Sequence, residues 1–526
     1  MITKIEPRAL PAQAENRLYL DYIAGIGSAA DFFSHAPLDF GAVFEARRGY
    51  PYPRQEAVRV LVEYNSGLGA GPRTLVNINA LCDPATFCVI AGQQAGFLGG
   101  PVYTAYKIIT TIRLAAHLQE TLGARFVPVF WLATEDHDFH EINHAYVTQR
   151  DGEVGRVKFD WEQAGHPVAD LPVTASITRA YGDYFEKLLP GPFHSQAKAL
   201  FAPQPGEDFC AWHARIWSSL FAEHGLVIVE PSTLHPLASG FFQRALEQSD
   251  EVRNRLDGVA HRLRADGYQP ALTSPQAGRL YTFDTTGRRV RVEDPGTHLA
   301  QVAAHPERYS TDAALRPLFA DAILPIVASV LGPGEIAYQA MLRPLYDLFD
   351  LPQPLLFPRK SYTVVSAGQA GRIARYGTNV RAILTGQLEV DGTFRDLVPA
   401  SERALFDRAR RELAEALAPL QPYLEDIDPG LGKTWEQTLS SSMRNLAKLE
   451  ERATRARMSR LGLSKRELQA LRNSLLPRGR LQERVFSLPH FVNDYGGRFI
   501  DEILSAGELA DFAHHVLTLE EGYAES

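Results

Sequence analysis

The sequence predicts an α/β fold with a parallel sheet, followed by a helical hairpin, and three observations carry that prediction. Short apolar runs bounded by turns, such as FCVIA (87–91), FVPVFWLA (126–133), LVIVEP (226–231) and PIVASVL (325–331), recur along the first two thirds of the chain. Such runs read as strands buried on both faces. The segments between them carry helical spacing, clearest at Val102, Tyr106, Ile109, Ile112 and Ala116. The last third is rich in Leu, Ala, Arg and Glu, with rows at Leu439, Leu446, Ala453 and at Ser442, Leu449, Ala456. Two interleaved seven-residue rows are the spacing of a coiled-coil seam.

In chain order, residues 1–80 read as a leading segment of short helices, of which EAVRVLVEYNSG (56–67) ends on a glycine stop. The stretch from Thr86 to His144 then gives strand, glycine-rich turn, helix closed by Gly123, strand, and the ionisable burst TEDHDFHEINH. A right-handed βαβ crossover makes the two strands parallel, so the turn and the burst share one sheet edge. Ligands of open α/β sheets bind at that edge. We assign 1–150 to the leading segment and the first half of the core, and 151–207, which is rich in turns, to a first insertion. The core resumes over 208–234 with a helix and LVIVEP, and 235–320 forms a second insertion with a long broken helix and a hairpin at Thr286-Gly287. Residues 321–390 complete the sheet.

The helical stretches Ser401–Leu420 and Lys433–Leu463 are separated by Pro422 and Pro429-Gly430, which predicts an antiparallel hairpin over 391–476. Its seam is expected to dock on a second copy of the chain, giving a homodimer; packing on its own core is the alternative. A capping box at Ser464 and Glu467 opens a further helix that ends at Pro477, and the aromatic tail 477–526 returns to the main body.

Composition narrows the function classes. The 526 residues are 45% apolar and 22% charged, ordinary values for a folded protein of two or three domains. A net charge of −8 argues against sequence-independent nucleic-acid binding. The segment MITKIEPRALPAQ lacks the apolar centre of a signal peptide, and no run approaches the ~18 apolar residues of a membrane span, so a cytoplasmic protein is expected. Cys82, Cys88 and Cys210 lack metal-ligand spacing and are expected to be reduced and buried.

Two stretches carry chemistry. The turn GQQAGFLGGP (92–101) is neither a P-loop nor a dinucleotide fingerprint. With Pro101 as a first helical residue, its backbone N–H groups would face an anion above the sheet; the alternative is that its glycines only pack helix on strand. Gly92 and Gly96 shape the turn, Gln93 and Gln94 can bond a sugar or amide, and Tyr103 and Lys107 follow on the helix, the lysine able to reach an anion. In the burst, Glu135, Asp136 and Asp138 can hold a cationic amine or a magnesium ion, and His137 can move protons near neutral pH. A solvated loop is the bland alternative. Asn143 closes this stretch, while Glu335, Tyr338 and Arg359 fall after later strands. His140-Glu141-Ile142-Asn143-His144 matches the zinc motif H-E-x-x-H, but β-forming residues follow it where a long helix should run. We therefore expect no metal there.

These motifs resemble the BshC family, the cysteine-adding enzymes of bacillithiol synthesis. The resemblance is carried by AGQQAGFLGGPVYTAYK (91–107), VPVFWLATEDHDFHEINH (127–144), LGPGEIAYQAML (331–342) and RLQERVFSLPHFVNDYG (480–496), in order over most of the chain. It implies a Rossmann-type core like that of class I aminoacyl-tRNA synthetases, two connecting insertions and a coiled-coil dimerisation element. It also implies the reaction, an amide bond from L-cysteine to glucosaminyl-malate. That step is uphill in water without activation, so ATP, with Mg2+ as its companion, is the expected cosubstrate, through an acyl-adenylate or an acyl phosphate. On this reading Gly92–Pro101 holds phosphate or malate carboxylates, Asp136 and Asp138 receive the amine or metal, and His137 deprotonates it. A non-catalytic nucleotide-binding scaffold and, less favoured, a zinc hydrolase are the rival readings.

Overall fold

The computed structural model describes residues 2–136, 138–161, 165–272 and 278–520, apart from the side chains of 395 and 396. Among them five strands, β1 (Thr86–Gln93), β2 (Arg125–Leu132), β3 (Val227–Val229), β4 (Ile326–Leu331) and β5 (Leu355–Pro358), form the central sheet. Every neighbouring pair is parallel and the spatial order is β3-β2-β1-β4-β5. This is the strand order of a Rossmann-type sheet, in which the chain reverses direction of build between β1 and β4 and leaves a crevice at their carboxyl ends.

The apolar runs predict these strands because both faces are covered. Phe87, Val89 and Ala91 of β1 and Phe126, Phe130 and Leu132 of β2 enter one core, while Cys88, Ile90, Val127, Val129 and Trp131 enter the other. The alternation is the two-residue period of a strand with each set buried. Helix α1 (Tyr103–Leu122) covers the first face with Ala105, Tyr106 and Ile109, and Gly123 ends it in the left-handed conformation. On the other face Ala57, Val58 and Leu61 of the helix Arg54–Gly67 pack against the sheet.

Between β2 and β3 the chain makes a two-stranded ribbon, His144–Thr148 with Val154–Lys158, and then several helices including α2 (Phe209–Leu220). Between β3 and β4 the helices Ser239–Glu247 and Ser249–Ala265 lead to the hairpin Leu280–Phe283 with Arg289–Arg291. After β4 comes α3 (Pro333–Gln339).

One departure concerns LLFPRKSYTVV, which is expected to complete the main sheet. The strand breaks at Arg359-Lys360, and Ser361–Ser366 joins a second sheet in which His514–Leu519 lies between it and Ile2–Ile5. The two buried cations cause the break by turning into separate partners: Arg359 pairs with Glu483 at 2.6 Å, and Lys360 donates to the Glu508 carbonyl at 2.8 Å. Cys82 is exposed, against expectation, while Cys88 and Cys210 are buried and all three thiols are free.

The C-terminal hairpin consists of α4 (Ala400–Leu417), the short helix Leu420–Ile427 and α5 (Leu431–Arg460). Its antiparallel register shows in three contacts: Glu402 with Arg457, Arg410 with Glu450, and the Trp435 indole donating to the Leu417 carbonyl at 2.9 Å. Neither α4 nor Leu420–Ile427 has a buried residue, and Leu405, Tyr423, Ile427 and Leu449 lie exposed. Among the described residues no helix is long and apolar enough to cross a membrane.

Candidate functional site

Two adjoining cavities occupy the carboxyl edge of the sheet. The smaller, about 230 Å³, sits where the sheet order reverses between β1 and β4, and Gly92, Trp131, Asp136, Glu335 and Tyr338 line it. The larger cleft, about 1160 Å³, opens beyond it past Gly96 and Tyr103 to a wall bearing Arg156, Arg478, Arg480 and Arg484. Gln93, Gln94 and Glu141 border both.

The end of β1 is fixed by Lys107. Its ammonium, 2% exposed, donates to the Gly92 carbonyl at 2.8 Å and to Gln93 Oε1 at 2.9 Å, and pairs with Glu335 Oε2 at 2.5 Å. Burial lowers the lysine's pKa and the Glu335 charge opposes the shift. Glu335 also caps α3 by accepting from the Gly332 N–H at 2.8 Å. The expected role of Lys107 as a reach toward a ligand anion thus gives way to an internal one, because the protein supplies its anion. Gln93 in turn donates to the Tyr103 hydroxyl at 3.3 Å.

The glycine turn also differs from the expected anion cradle. The N–H groups of Gly99, Gly100, Val102 and Thr104 donate to the carbonyls of Gly96, Phe97, Phe486 and Pro101. The helix starts at Tyr103 and not at Pro101, since a 3-10 turn at Phe97–Gly99 intervenes. Gly96 is required there for a packing reason: a Cβ would lie 2.8 Å from the Gly100 Cα. His213 of α2 anchors the turn. The Trp217 indole donates to its Nε2 at 2.9 Å, so the proton sits on Nδ1 and is donated to the Gly96 carbonyl at 3.1 Å. Burial pushes the His213 pKa down to about 4.

Beyond β2 the acidic loop divides. Thr134 bonds the buried Glu230, and Glu135 turns inward to His235 Nε2 at 2.5 Å, away from both cavities. Asp136 turns to the small cavity, where Gln94 donates to it at 2.5 Å and its Oδ1 accepts from the Asp138 N–H at 3.2 Å. Asp138 is exposed at the start of the single turn Phe139–Ile142. Glu141, unremarked as a ligand contact in the sequence, stands between the cavities, and its pKa is raised by burial and by the Asp138 and Asp136 charges. His137, the expected base, lies outside the described residues.

Two further expected residues are supports. Asn143, 3% exposed, donates to the Phe159 carbonyl at 3.3 Å. Arg359 is buried against Glu483 with its guanidinium 5.3 Å from the Tyr103 ring centre. The H-E-x-x-H match fails as a helical pair: His140 sits on a four-residue turn and His144 begins a strand. Among the described residues no three His, Cys, Asp or Glu side chains converge as metal ligands.

Sequence reasoning missed the cationic side of the site. Arg316, from the helix Leu315–Ile323, borders the small cavity beside Tyr338. Arg484 is largely buried in the cleft wall with its Nε unpartnered, and burial and the nearby Arg359 both disfavour its charge. The run RGRLQER (478–484) was the available signal, three arginines in seven residues overlapping a quoted motif.

Comparison with known proteins agrees with this layout. Residues 5–360 match the family described as the N-terminal Rossmann-like domain of bacillithiol biosynthesis BshC, and residues 362–519 match its C-terminal coiled-coil domain. A Geobacillus sp. (strain WCH70) protein named "Putative cysteine ligase BshC" is 30% identical over 95% of this chain and 97% of its own length. Proteins of the same name from Geobacillus kaustophilus and Salinibacter ruber are also 30% identical, covering 98% and 97% of this chain and 100% and 97% of theirs. With both domain matches in register and the relatives aligned end to end, the chain belongs to the BshC family of bacillithiol biosynthesis.

Proposed function

We propose that this chain is an ATP-dependent ligase that joins L-cysteine to glucosaminyl-malate through an amide bond. The observation that carries the reading is the meeting, at the reversal point of the sheet, of an acidic loop with an arginine wall across two joined cavities. An amide-forming ligase must hold an amine, several carboxylates and a polyphosphate in one place. Asp136 and Asp138 suit the ammonium of the sugar. Arg156, Arg478, Arg480 and Arg484 suit the anions, whether malate carboxylates or phosphates, and among the described residues none of the four forms a salt bridge with the protein.

ATP, as its magnesium complex, supplies the activation of the cysteine carboxylate when bound. The residues of the chain then orient and deprotonate. Gln94 fixes Asp136 toward the cavity, Lys107 and Glu335 hold the end of β1 rigid, and a base in the acidic loop removes the proton that keeps the amine from attacking. His137 is that base in our reading, with Asp136 holding the amine beside it. Leu405, Tyr423, Ile427 and Leu449 make the hairpin the surface on which two copies pair, which light scattering on the purified protein tests.

The direct test incubates the protein with ATP, magnesium, L-cysteine and glucosaminyl-malate and reads thiol and nucleotide products by mass spectrometry. Bacillithiol with AMP means adenylation, and with ADP it means an acyl phosphate. His137→Ala and Asp136→Asn are expected to abolish turnover. Nucleotide bound without product, even with cell extract added, would refute the ligase reading in favour of a scaffold.

A further inference from the structure

We infer that the small cavity between β1 and β4 is the seat of the cysteine substrate, bound as a zwitterion with Arg316 as the anchor of its carboxylate. The inference rests on the ligase reading for the identity of the amino acid, but the site itself is argued from the cavity. Arg316 is a guanidinium on the cavity wall whose hydrogen-bonding neighbour is the neutral Tyr338 hydroxyl, and among the described residues it forms no salt bridge. The Asp136 and Glu335 carboxylates favour its charge without a direct salt bridge, and a ligand carboxylate in the cavity adds a direct charge-assisted contact.

Two more atoms on the same wall lack partners. Trp131 Nε1 is a buried donor and Gln339 Oε1 a buried acceptor, the residues being 4% and 3% exposed, and neither atom has a hydrogen-bond partner in the protein. Buried polar atoms are nearly always paired, and both residues belong to the wall of this cavity. Arg316 complements a carboxylate. The carboxylate of Glu141, which borders both cavities, complements the zwitterion's ammonium and leaves Asp136 to the amine of the second substrate. Ile90 and Leu331 supply an apolar patch for a short thiol side chain.

Size and placement agree. At about 230 Å³ the cavity is smaller than the roughly 300–1,000 Å³ of pockets for drug-sized ligands, so neither a nucleotide nor a sugar conjugate fits within it. The charge of Asp136 acts on Arg316, and Gln94 holds Asp136 at 2.5 Å on the border of the larger cleft. A carboxylate anchored at Arg316 therefore lies on the side from which the amine of the second substrate arrives.

The test is calorimetric titration of the full-length protein, under reducing conditions and with and without ATP, using L-cysteine and cysteamine, which lacks the carboxylate. Wild type is expected to prefer L-cysteine over cysteamine by roughly 10- to 100-fold, the worth of hydrogen bonds to a charged group. Arg316→Met should erase that preference while leaving cysteamine binding in place, and Arg316→Lys should restore part of it. Equal affinity of wild type for the two compounds, or no L-cysteine binding in either condition, overturns the assignment whatever the variants do. Equal loss of both compounds in Arg316→Met and Arg316→Lys also overturns it, because it marks a merely structural arginine. The two readings fail separately: Arg316-dependent cysteine binding without any thiol product sinks the ligase and leaves the site. Product formation with an unchanged KM for cysteine in Arg316→Met sinks the site and leaves the ligase.

Discussion

Replacing Glu335 by Gln isolates the charge that keeps Lys107 buried. The amide still accepts from the Gly332 N–H, so the cap of α3 survives, and the shape of the side chain is unchanged. What is lost is the anion 2.5 Å from an ammonium that is 2% exposed. Removing one partner of a fully buried pair costs about 3–5 kcal/mol, because the remaining charge is stranded. Here Glu335 is 27% exposed and the ammonium keeps the Gly92 carbonyl and Gln93 Oε1, so we expect about 2–3 kcal/mol. Urea unfolding followed by tryptophan fluorescence measures it, with Lys107→Met and the double variant completing the cycle. The double variant should lose less than the sum of the singles by about 1.5–3 kcal/mol. A loss under about 0.5 kcal/mol for Glu335→Gln, or additivity across the cycle, would refute the view that this pair secures the end of β1.

The other predictions concern the turn and the cleft. Gly96→Ala places a Cβ 2.8 Å from backbone and should lower stability by about 1–3 kcal/mol, read as a fall in melting temperature. His213 is neutral in the folded protein with a pKa of about 4, whereas the unfolded chain takes up the proton near 6.5. The unfolded state therefore binds more protons in that interval, and stability falls as pH drops from about 6.5 to about 4. His213→Gln should flatten that part of the melting-temperature profile, and an unchanged slope would count against the assignment. Arg484→Met should raise the KM for the anionic substrate about tenfold or more with a smaller change in kcat, whereas an unchanged KM would place the anion elsewhere.

The parts of the fold legible in the sequence were those written in local periodicity. Strands β1, β2 and β4 show as apolar runs because both faces are buried, and α1 shows by its spacing. The hairpin α4 and α5 shows because its rows repeat every seven residues. The second sheet was not legible. It brings residues 2–5, 361–366 and 514–519 together, and no local pattern records a pairing across such separations. The end of the strand before Arg359 was legible, whereas the sheet that Ser361–Ser366 joins was not.

For the site, the residue types were visible but their allegiance was not. Lys107, Arg359 and Glu135 all fall at the binding edge, and each has its countercharge inside the protein, in Glu335, Glu483 and His235. Within the loop after β2, neighbouring acids part company: Glu135 goes to His235 in the core and Asp136 to Gln94 at the cavity. A carboxylate or ammonium with an internal partner stiffens the edge and has little charge left to offer a substrate. Arg316 and Arg484 form no salt bridge among the described residues, and only Arg484 stands in a motif that the sequence offers. Carboxylates act on both without forming a salt bridge, Asp136 and Glu335 on Arg316 and Glu483 on Arg484. The two arginines that a sequence reading passes over are thus the ones whose placement calls for a ligand anion, one in each cavity.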